Sequence, residues 1–222
     1  MTEPIRVLIV DDHPLIRRGL RTVISTEPTM ELVGEACDAD EAVRLAIALD
    51  PDVILLDLLM PHRDGISVIE EMRRRELRAR ILVLTSFSDN AQIFAALRAG
   101  AQGYVLKDIR SEELLKAIED VHRGGAALHP SVAQKLVAQY TPTLSAPDAP
   151  HSVDELSARE REVLGFIAQG MTNLEIAQQM SLSERTVAAH VRAILAKLQV
   201  TNRTQAALYA LRSGLADLDS SH

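Results

Sequence analysis

The chain has 222 residues, 47% of them hydrophobic, and a formal net charge of −7 at pH 7. That is enough apolar material for one large or two small cores, and too acidic a balance for a bulk polycation that coats nucleic acid. The single cysteine, Cys37, excludes an intrachain disulfide and fits a reducing compartment. No apolar run approaches the roughly 18 residues that a membrane span needs. The opening MTEPIRVLIV lacks the layout of a secretory signal, so a cytoplasmic protein with no membrane partner is expected.

Residues 1–124 alternate between two periods. Ile5–Val10, Leu32–Ala36, Val53–Leu56, Ile81–Leu84 and Gly103–Leu106 are short, mostly apolar runs that suit strands covered on both faces. Between them, Pro14–Thr26, Asp40–Leu49, Ile66–Arg75, Asn90–Ala99 and Ser111–Arg123 have helical spacing. Five βα units predict an α/β domain: a five-stranded, doubly wound parallel sheet of flavodoxin-like type. Its functional crevice should lie at the carboxyl ends of the strands. Asp11, Asp12, Asp57, Thr85 and Lys107 all fall at or just past such ends.

Residues 125–151 read as a linker. Gly124-Gly125 stops the last helix, His129–Gln139 has the pattern of a short helix, and Thr141–Pro150 holds three prolines with little to bury. Residues 152–217 are helical throughout and predict an all-α four-helix domain, followed by a tail at 218–222. Ser157-Ala-Arg-Glu160 and Thr172-Asn-Leu-Glu175 fit the capping box, Ser183 caps a third helix, and Asn202-Arg203-Thr204 opens a fourth. The charge divides unevenly. Residues 1–124 carry 16 basic and 22 acidic groups, whereas 152–222 carry 7 and 8. DNA contact would therefore depend on where a few arginines lie.

Clustered carboxylates repel one another, and a hard divalent cation relieves that repulsion; Mg²⁺ suits a few carboxylates with water and a phosphate oxygen. Asp57 then reads as a nucleophile towards a phosphoryl group, with Lys107 neutralising one phosphoryl oxygen and Thr85 donating to another. Taken singly, each residue has a plainer reading. A strand-end aspartate commonly caps a helix, a lysine is commonly solvated, and Tyr104 commonly packs in a core. His62 and Arg63, in the loop after Asp57, read as solvated.

The motifs VLIVDDH at 7–13, ILLDLLMP at 54–61, Asp64-Gly65, LVLTS at 82–86 and GYVLKD at 103–108 resemble the receiver domain of bacterial two-component response regulators. The resemblance implies that Asp57 is the phosphoacceptor, not the centre of an enzyme with an external substrate. It implies that Asp11, Asp12, Asp57 and the Leu59 carbonyl hold Mg²⁺, and that Thr85 and Tyr104 form a switch pair. Asp108 stands where many receivers have proline. Leu59 and Phe87, two residues after Asp57 and Thr85, are apolar where receivers tune attack by water, which implies slow self-dephosphorylation.

In residues 183–198, Val187, Val191, Ile194, Leu195 and Leu198 form a stripe at helical spacing, with Arg185, Ala188, Ala189 and Arg192 on another side. Small residues let a helix approach the major-groove floor, and arginine can read guanine or hold phosphate. A plain helical bundle also explains the pattern. The stretch LSAREREVLGFIAQGMTNLEIAQQMSLSERTVAAHVRAILAKLQVTNRTQAA, however, resembles the LuxR-type helix-turn-helix. The resemblance implies groove-facing positions at Ala188, Ala189 and Arg192, and backbone contacts from Arg185, Thr186, His190 and Lys197. Ala188 replaces a usual lysine. It also implies dimerisation through Ala206, Ala207, Ala210 and Leu211.

Receiver plus LuxR-type domain resembles the NarL/FixJ subfamily of response regulators. The expected partners are a sensor histidine kinase, promoter DNA, a second copy of the chain after phosphorylation, and RNA polymerase. DLLMP and ALHPSVAQKL resemble regulators of cell-envelope stress. The same residues admit two rival readings. An Asp-nucleophile phosphohydrolase of the haloacid-dehalogenase type needs an aspartate at the position of Leu59. A receiver signalling by binding alone does not need the intact acidic pair and Lys107.

Overall fold

A computed structural model describes residues 3–61, 63–86, 90–125, 127–128, 156–200, 202–213 and 215. The chain forms two compact units. In the first, strands β1 (Ile5–Val10), β2 (Met30–Ala36), β3 (Val53–Leu56), β4 (Arg80–Thr85), β5 (Gly103–Leu106) and β6 (Ala127–Leu128) alternate with α1 (Pro14–Ser25), α2 (Ala39–Leu49), α3 (Gly65–Arg74), α4 (Asn90–Ala99) and α5 (Ser111–His122). The sheet is parallel, in the order β2-β1-β3-β4-β5-β6. The chain reverses direction across the sheet at β1, between β2 and β3. The carboxyl ends of β1 and β3 therefore flank the crevice where α/β sheets bind ligands.

β1, β3 and β4 are buried almost end to end, because helices cover both faces. Val7, Ile9, Leu55, Leu82 and Leu84 pack with Leu20 and Ile24 of α1 and with Leu114, Ile118 and Val121 of α5. The strongest local stop is at Gly65, where α3 begins. A Cβ there would lie 2.7 Å from the Asp57 carbonyl oxygen and 2.7 Å from Leu58 Cα, both backbone atoms. Only glycine lets α3 start this close to the loop after β3.

The five expected strands form, and a short sixth is added at the edge. Ala127–Leu128 pairs in parallel with Gly103 and Tyr104 of β5. A two-residue strand has no periodicity to read, and its edge position comes only from β5 having a free side. The expected helix at His129–Gln139, the proline-rich stretch and the tail at 218–222 lie outside the described residues.

The second unit holds α6 (Ala158–Ala168), α7 (Asn173–Met180), α8 (Glu184–Lys197) and α9 (Arg203–Arg212). Both capping boxes form: Ser157 with Glu160 opens α6, and Thr172 with Glu175 opens α7. Ser183 accepts from the Thr186 amide to start α8, and Asn202 accepts from the Gln205 amide to start α9. Ser181, in the left-handed region at φ 53°, turns the chain between α7 and α8. Val163, Leu164, Ile167, Ile176, Val187, Ile194, Ala206 and Ala210 fill the core.

Candidate phosphoacceptor site and nucleic-acid face

Four strand ends bring the predicted receiver residues together. Asp11 follows β1, Asp57 follows β3, Thr85 ends β4 and Lys107 follows β5, and the first three are buried. Backbone bonds fix these ends. The Asp57 amide donates to the Val10 carbonyl, and the Lys107 amide donates to the Thr85 carbonyl, both at 2.9 Å. The Lys107 ammonium bridges two carboxylates, 2.7 Å from Asp11 Oδ2 and 2.7 Å from Asp57 Oδ2. The Leu59 amide donates to Asp57 Oδ1 at 3.3 Å, so the main chain of the expected carbonyl ligand runs beside the Asp57 carboxylate.

Burial pushes the Asp57 carboxyl above its ordinary pKa, against the opposing pull of Lys107 and the Leu59 amide. Burial also works against the Lys107 charge, but hydrogen bonds and charges from both Asp11 and Asp57 outweigh it and raise the lysine. One cation shared between two buried carboxylates explains why both shifts run upward. Each carboxylate has only part of a partner, whereas the lysine has two.

Asp12 lies beside this pair. Its Oδ1 is buried without a hydrogen-bond partner, although the His13 Nδ1 sits 2.6 Å away outside hydrogen-bonding angles. One ligand atom from each of Asp11, Asp12, His13 and Asp57 lies within 4.8 Å of all the others. An orphaned carboxylate oxygen in a cluster with more negative than positive charge is what a hard divalent ion would satisfy. The residues therefore fit Mg²⁺.

Tyr104 is fully buried, its ring already turned inward on β5. Phe87 lies outside the described residues. Arg63 does not behave as a solvated loop residue. It reaches Ser67 Oγ at 3.1 Å, Asp40 Oδ1 at 3.1 Å and the Glu71 carboxylate, tying the loop after Asp57 to α2 and α3. Reading the sequence missed this clasp. The only signal was the spacing from Arg63 to Glu71, which has meaning once Gly65 is known to start a helix.

On the second unit, Arg185, Thr186, Ala189 and Arg192 of α8 are exposed. Ala188 and His190 are half-buried, so they flank that face. Lys197 is engaged: its ammonium lies 2.7 Å from Glu160 Oε2. That pair and the Ser157 bonds hold the Glu160 carboxyl down to about 2. Lys197, expected to contact the DNA backbone, keeps 41% of its side chain exposed while it holds this pair.

The expected dimer residues need correction. Ala206, Ala207 and Ala210 are buried in their own unit's core, where small side chains let α9 pack closely on its neighbours. They are not a surface. Nothing is described for the Leu211 side chain. A second residue missed from sequence is Arg203, which is buried. It donates to Asn173 Oδ1 at 2.8 Å and to the Met171 carbonyl, and burial lowers its pKa to about 10.

This combination defines an α/β domain with an acidic site at its strand ends, and a helical unit built as a helix-turn-helix. Comparison with known proteins agrees. Residues 7–119 match the response regulator receiver domain, and residues 154–210 match the bacterial regulatory proteins of the luxR family. The chain is 41% identical to the transcriptional regulatory protein LiaR of Bacillus subtilis, over 96% of this chain and 100% of that one. It is 37% identical to the nitrate/nitrite response regulator protein NarL of Escherichia coli K12, over 93% and 95%. A solved structure of two RcsB dimers bound to two parallel DNAs is similar at TM-score 0.56 and 29% identity, covering 95% of this chain and 99% of that one. The chain belongs to the NarL/FixJ family of two-component response regulators, which are DNA-binding regulators of transcription and not enzymes.

Proposed function

We propose that a sensor histidine kinase phosphorylates Asp57, and that the phosphorylated chain dimerises and binds promoter DNA. The observation that carries this is the pair of buried carboxylates at the ends of β1 and β3, bridged by Lys107, beside Asp12, whose Oδ1 has no hydrogen-bond partner. Asp11, Asp12, Asp57 and the Leu59 carbonyl would hold Mg²⁺. When bound, the ion supplies offsetting charge for an incoming phosphoryl group.

The chain's own groups do the rest. The Asp57 carboxylate attacks phosphorus, and the donor's imidazole leaves with its electron pair. Transfer removes one negative oxygen from the Lys107 clamp and puts phosphoryl oxygens in its place, so Lys107 follows the new charge. Thr85 is at the end of the adjacent strand and donates to a phosphoryl oxygen, while Tyr104 packs behind it. Phosphorylation then biases a two-state surface by a few kcal/mol.

Arg185, Ala189 and Arg192 share the exposed face of α8 and are the groups we assign to DNA, with Thr186 and His190 at its edges. We place the end of the receiver domain just beyond β6, followed by a linker to about residue 151 and the DNA-binding domain at 152–217. RNA polymerase is a further partner in this reading, the setting is the cytoplasm, and cell-envelope stress is the stimulus suggested by DLLMP and ALHPSVAQKL. No described helix is long and apolar enough to cross a membrane.

The test is intact mass after incubation with acetyl phosphate and Mg²⁺, with Asp57→Asn alongside. A metal-dependent phosphoryl adduct on the wild type alone, with tighter binding to promoter DNA, is expected. Equal promoter binding by Asp57→Asn and the phosphorylated wild type would overturn the switch.

A further inference from the structure

The loop between β3 and α3 is braced from both sides. The Gly65 amide donates to the Leu58 carbonyl at 3.0 Å, which closes the loop at its base. The Arg63 amide donates to the Pro61 carbonyl at 2.8 Å, which tightens its far side. Arg63 then turns its side chain back onto α3. Its Nε donates to Ser67 Oγ at 3.1 Å, and its Nη2 donates to the Ser67 carbonyl at 3.4 Å and to the Glu71 carboxylate. Nη1 reaches Asp40 Oδ1 of α2 at 3.1 Å. Asp40 is 91% exposed, so that contact adds little, whereas Glu71 is 17% exposed and its pair with Arg63 is better shielded from water. Among the described residues of the loop, no other side chain hydrogen-bonds to both neighbouring helices.

We infer that Arg63 is a positioning residue for the metal site: its grip on Ser67 and Glu71 fixes the loop that carries the Leu59 carbonyl, so that this carbonyl is in place before Mg²⁺ binds. This rests on the reading of Asp11, Asp12, Asp57 and the Leu59 carbonyl as the ion's ligands. Arg63 hydrogen-bonds to none of them and acts through α3. That helix abuts the main chain at Asp57, since a Cβ on Gly65 would lie 2.7 Å from the Asp57 carbonyl oxygen. A residue that holds the loop to α3 therefore holds it to an element already seated on Asp57.

The ion's geometry makes the grip matter. Mg²⁺ needs near-ideal octahedral ligands at about 2.1 Å. A loop free to take other shapes would have to be ordered as the ion binds, and that lost freedom weakens binding. The Leu59 side chain is 39% exposed, so it anchors the loop only weakly at that point. A guanidinium suits the task, because its planar fork serves Ser67, Glu71 and Asp40 at once, as an ammonium cannot. A clasp of purely structural value would stabilise the metal-free unit and leave Mg²⁺ affinity unchanged.

The experiment is calorimetric titration of the full chain with MgCl₂, for wild type, Arg63→Met, Arg63→Lys, Glu71→Gln and the double variant Arg63→Met/Glu71→Gln. Hydrogen exchange of peptides covering residues 57–65 in the metal-free chain accompanies it. In Arg63→Met the Mg²⁺ affinity should fall about ten-fold, the lower end of what groups supporting a metal ligand contribute, and exchange in the loop should quicken. Glu71→Gln should weaken binding in the same direction, and Arg63→Lys should recover only part of the loss. The double variant should bind Mg²⁺ no more weakly than Arg63→Met, because the two residues act through one contact. At saturating MgCl₂ the Asp57 adduct should form in Arg63→Met at the wild-type rate, since the bound ion then orders the loop. Wild-type affinity or wild-type loop exchange in Arg63→Met, or additive losses in the double variant, overturns the role of Arg63 and leaves the metal site standing. No Mg²⁺ binding by the wild type overturns the metal site, and the inference with it.

Discussion

Replacing Lys107 by methionine keeps most of the side chain's volume and removes its charge. Asp11 and Asp57 are then left buried without their shared cation. Breaking a buried ion pair from one side costs about 3–5 kcal/mol. Two features lower that here. Lys107 is 10% exposed, and Asp57, already raised by burial, can take up a proton. We expect a loss of about 2–4 kcal/mol at pH 7, or a fall in melting temperature of about 8–15 °C for a unit of this size. The sign with pH follows from the direction of the Asp57 shift. A carboxyl raised in the folded state favours the fold in its protonated form, and that advantage is lost as pH rises through the folded pKa. The deficit of Lys107→Met should therefore be largest at neutral and alkaline pH and shrink on acidification. Mg²⁺ should stabilise the variant more than the wild type, since it replaces the missing cation and no longer competes with an ammonium. Differential scanning calorimetry of the full chain measures this. Hydrogen exchange of peptides covering β1, β3 and β5 assigns the transition. A variant as stable as wild type between pH 5 and 8, or a Mg²⁺ increment no greater than the wild type's, would refute the account of Lys107 as the cation of the metal-free site.

Three further predictions concern the frame around the sites. Glu160→Gln keeps a hydrogen-bond acceptor for Ser157 but removes the charge facing Lys197. The Glu160 carboxyl is lowered from 4.5 to about 2, so its contribution is complete above pH 4.5 and is lost as pH falls towards 2. With Lys197 41% exposed to solvent, the full shift is discounted to about 1–2 kcal/mol. Urea unfolding should show that gap at pH 7 and a narrowing gap below pH 4.5; a constant gap would disprove the ion pair's role. Gly65→Ala drives a Cβ against two backbone atoms that cannot rotate away. It should cost about 1–3 kcal/mol and slow phosphorylation of Asp57 in the intact-mass assay, whereas full-rate phosphorylation would show that α3 tolerates the shift. Arg203→Lys should fail to restore the stability lost in Arg203→Met, about 1–3 kcal/mol, because an ammonium cannot span Asn173 and the Met171 carbonyl as a guanidinium does. Hydrogen exchange at the start of α7 reads the difference, and equal exchange in lysine variant and wild type would refute it.

The receiver's order of elements was legible because each β-run is short, apolar and followed by a helix of clear period. Those patterns place Asp11, Asp57, Thr85 and Lys107 at one edge whatever the packing details. The two capping boxes of the second unit were equally legible, since a hydroxyl and a carboxylate three residues apart satisfy amides locally. Local chemistry of this kind needs no partner from elsewhere in the chain.

Other features depend on which distant groups meet, and the sequence does not carry that. Whether Lys107 serves one carboxylate or two, whether Arg63 is solvated or clasps Asp40 and Glu71, and whether Lys197 pairs with Glu160 are settled by distances across elements. The alanines of α9 show the same limit. A row of small residues allows close approach, but only packing decides that the neighbour is their own domain's core. The sequence by itself determined the chain of elements, the caps and the chemical types gathered at the strand ends. The tertiary structure alone decided which charges pair and which faces are buried, because pairing and burial depend on three-dimensional neighbours that periodicity does not name.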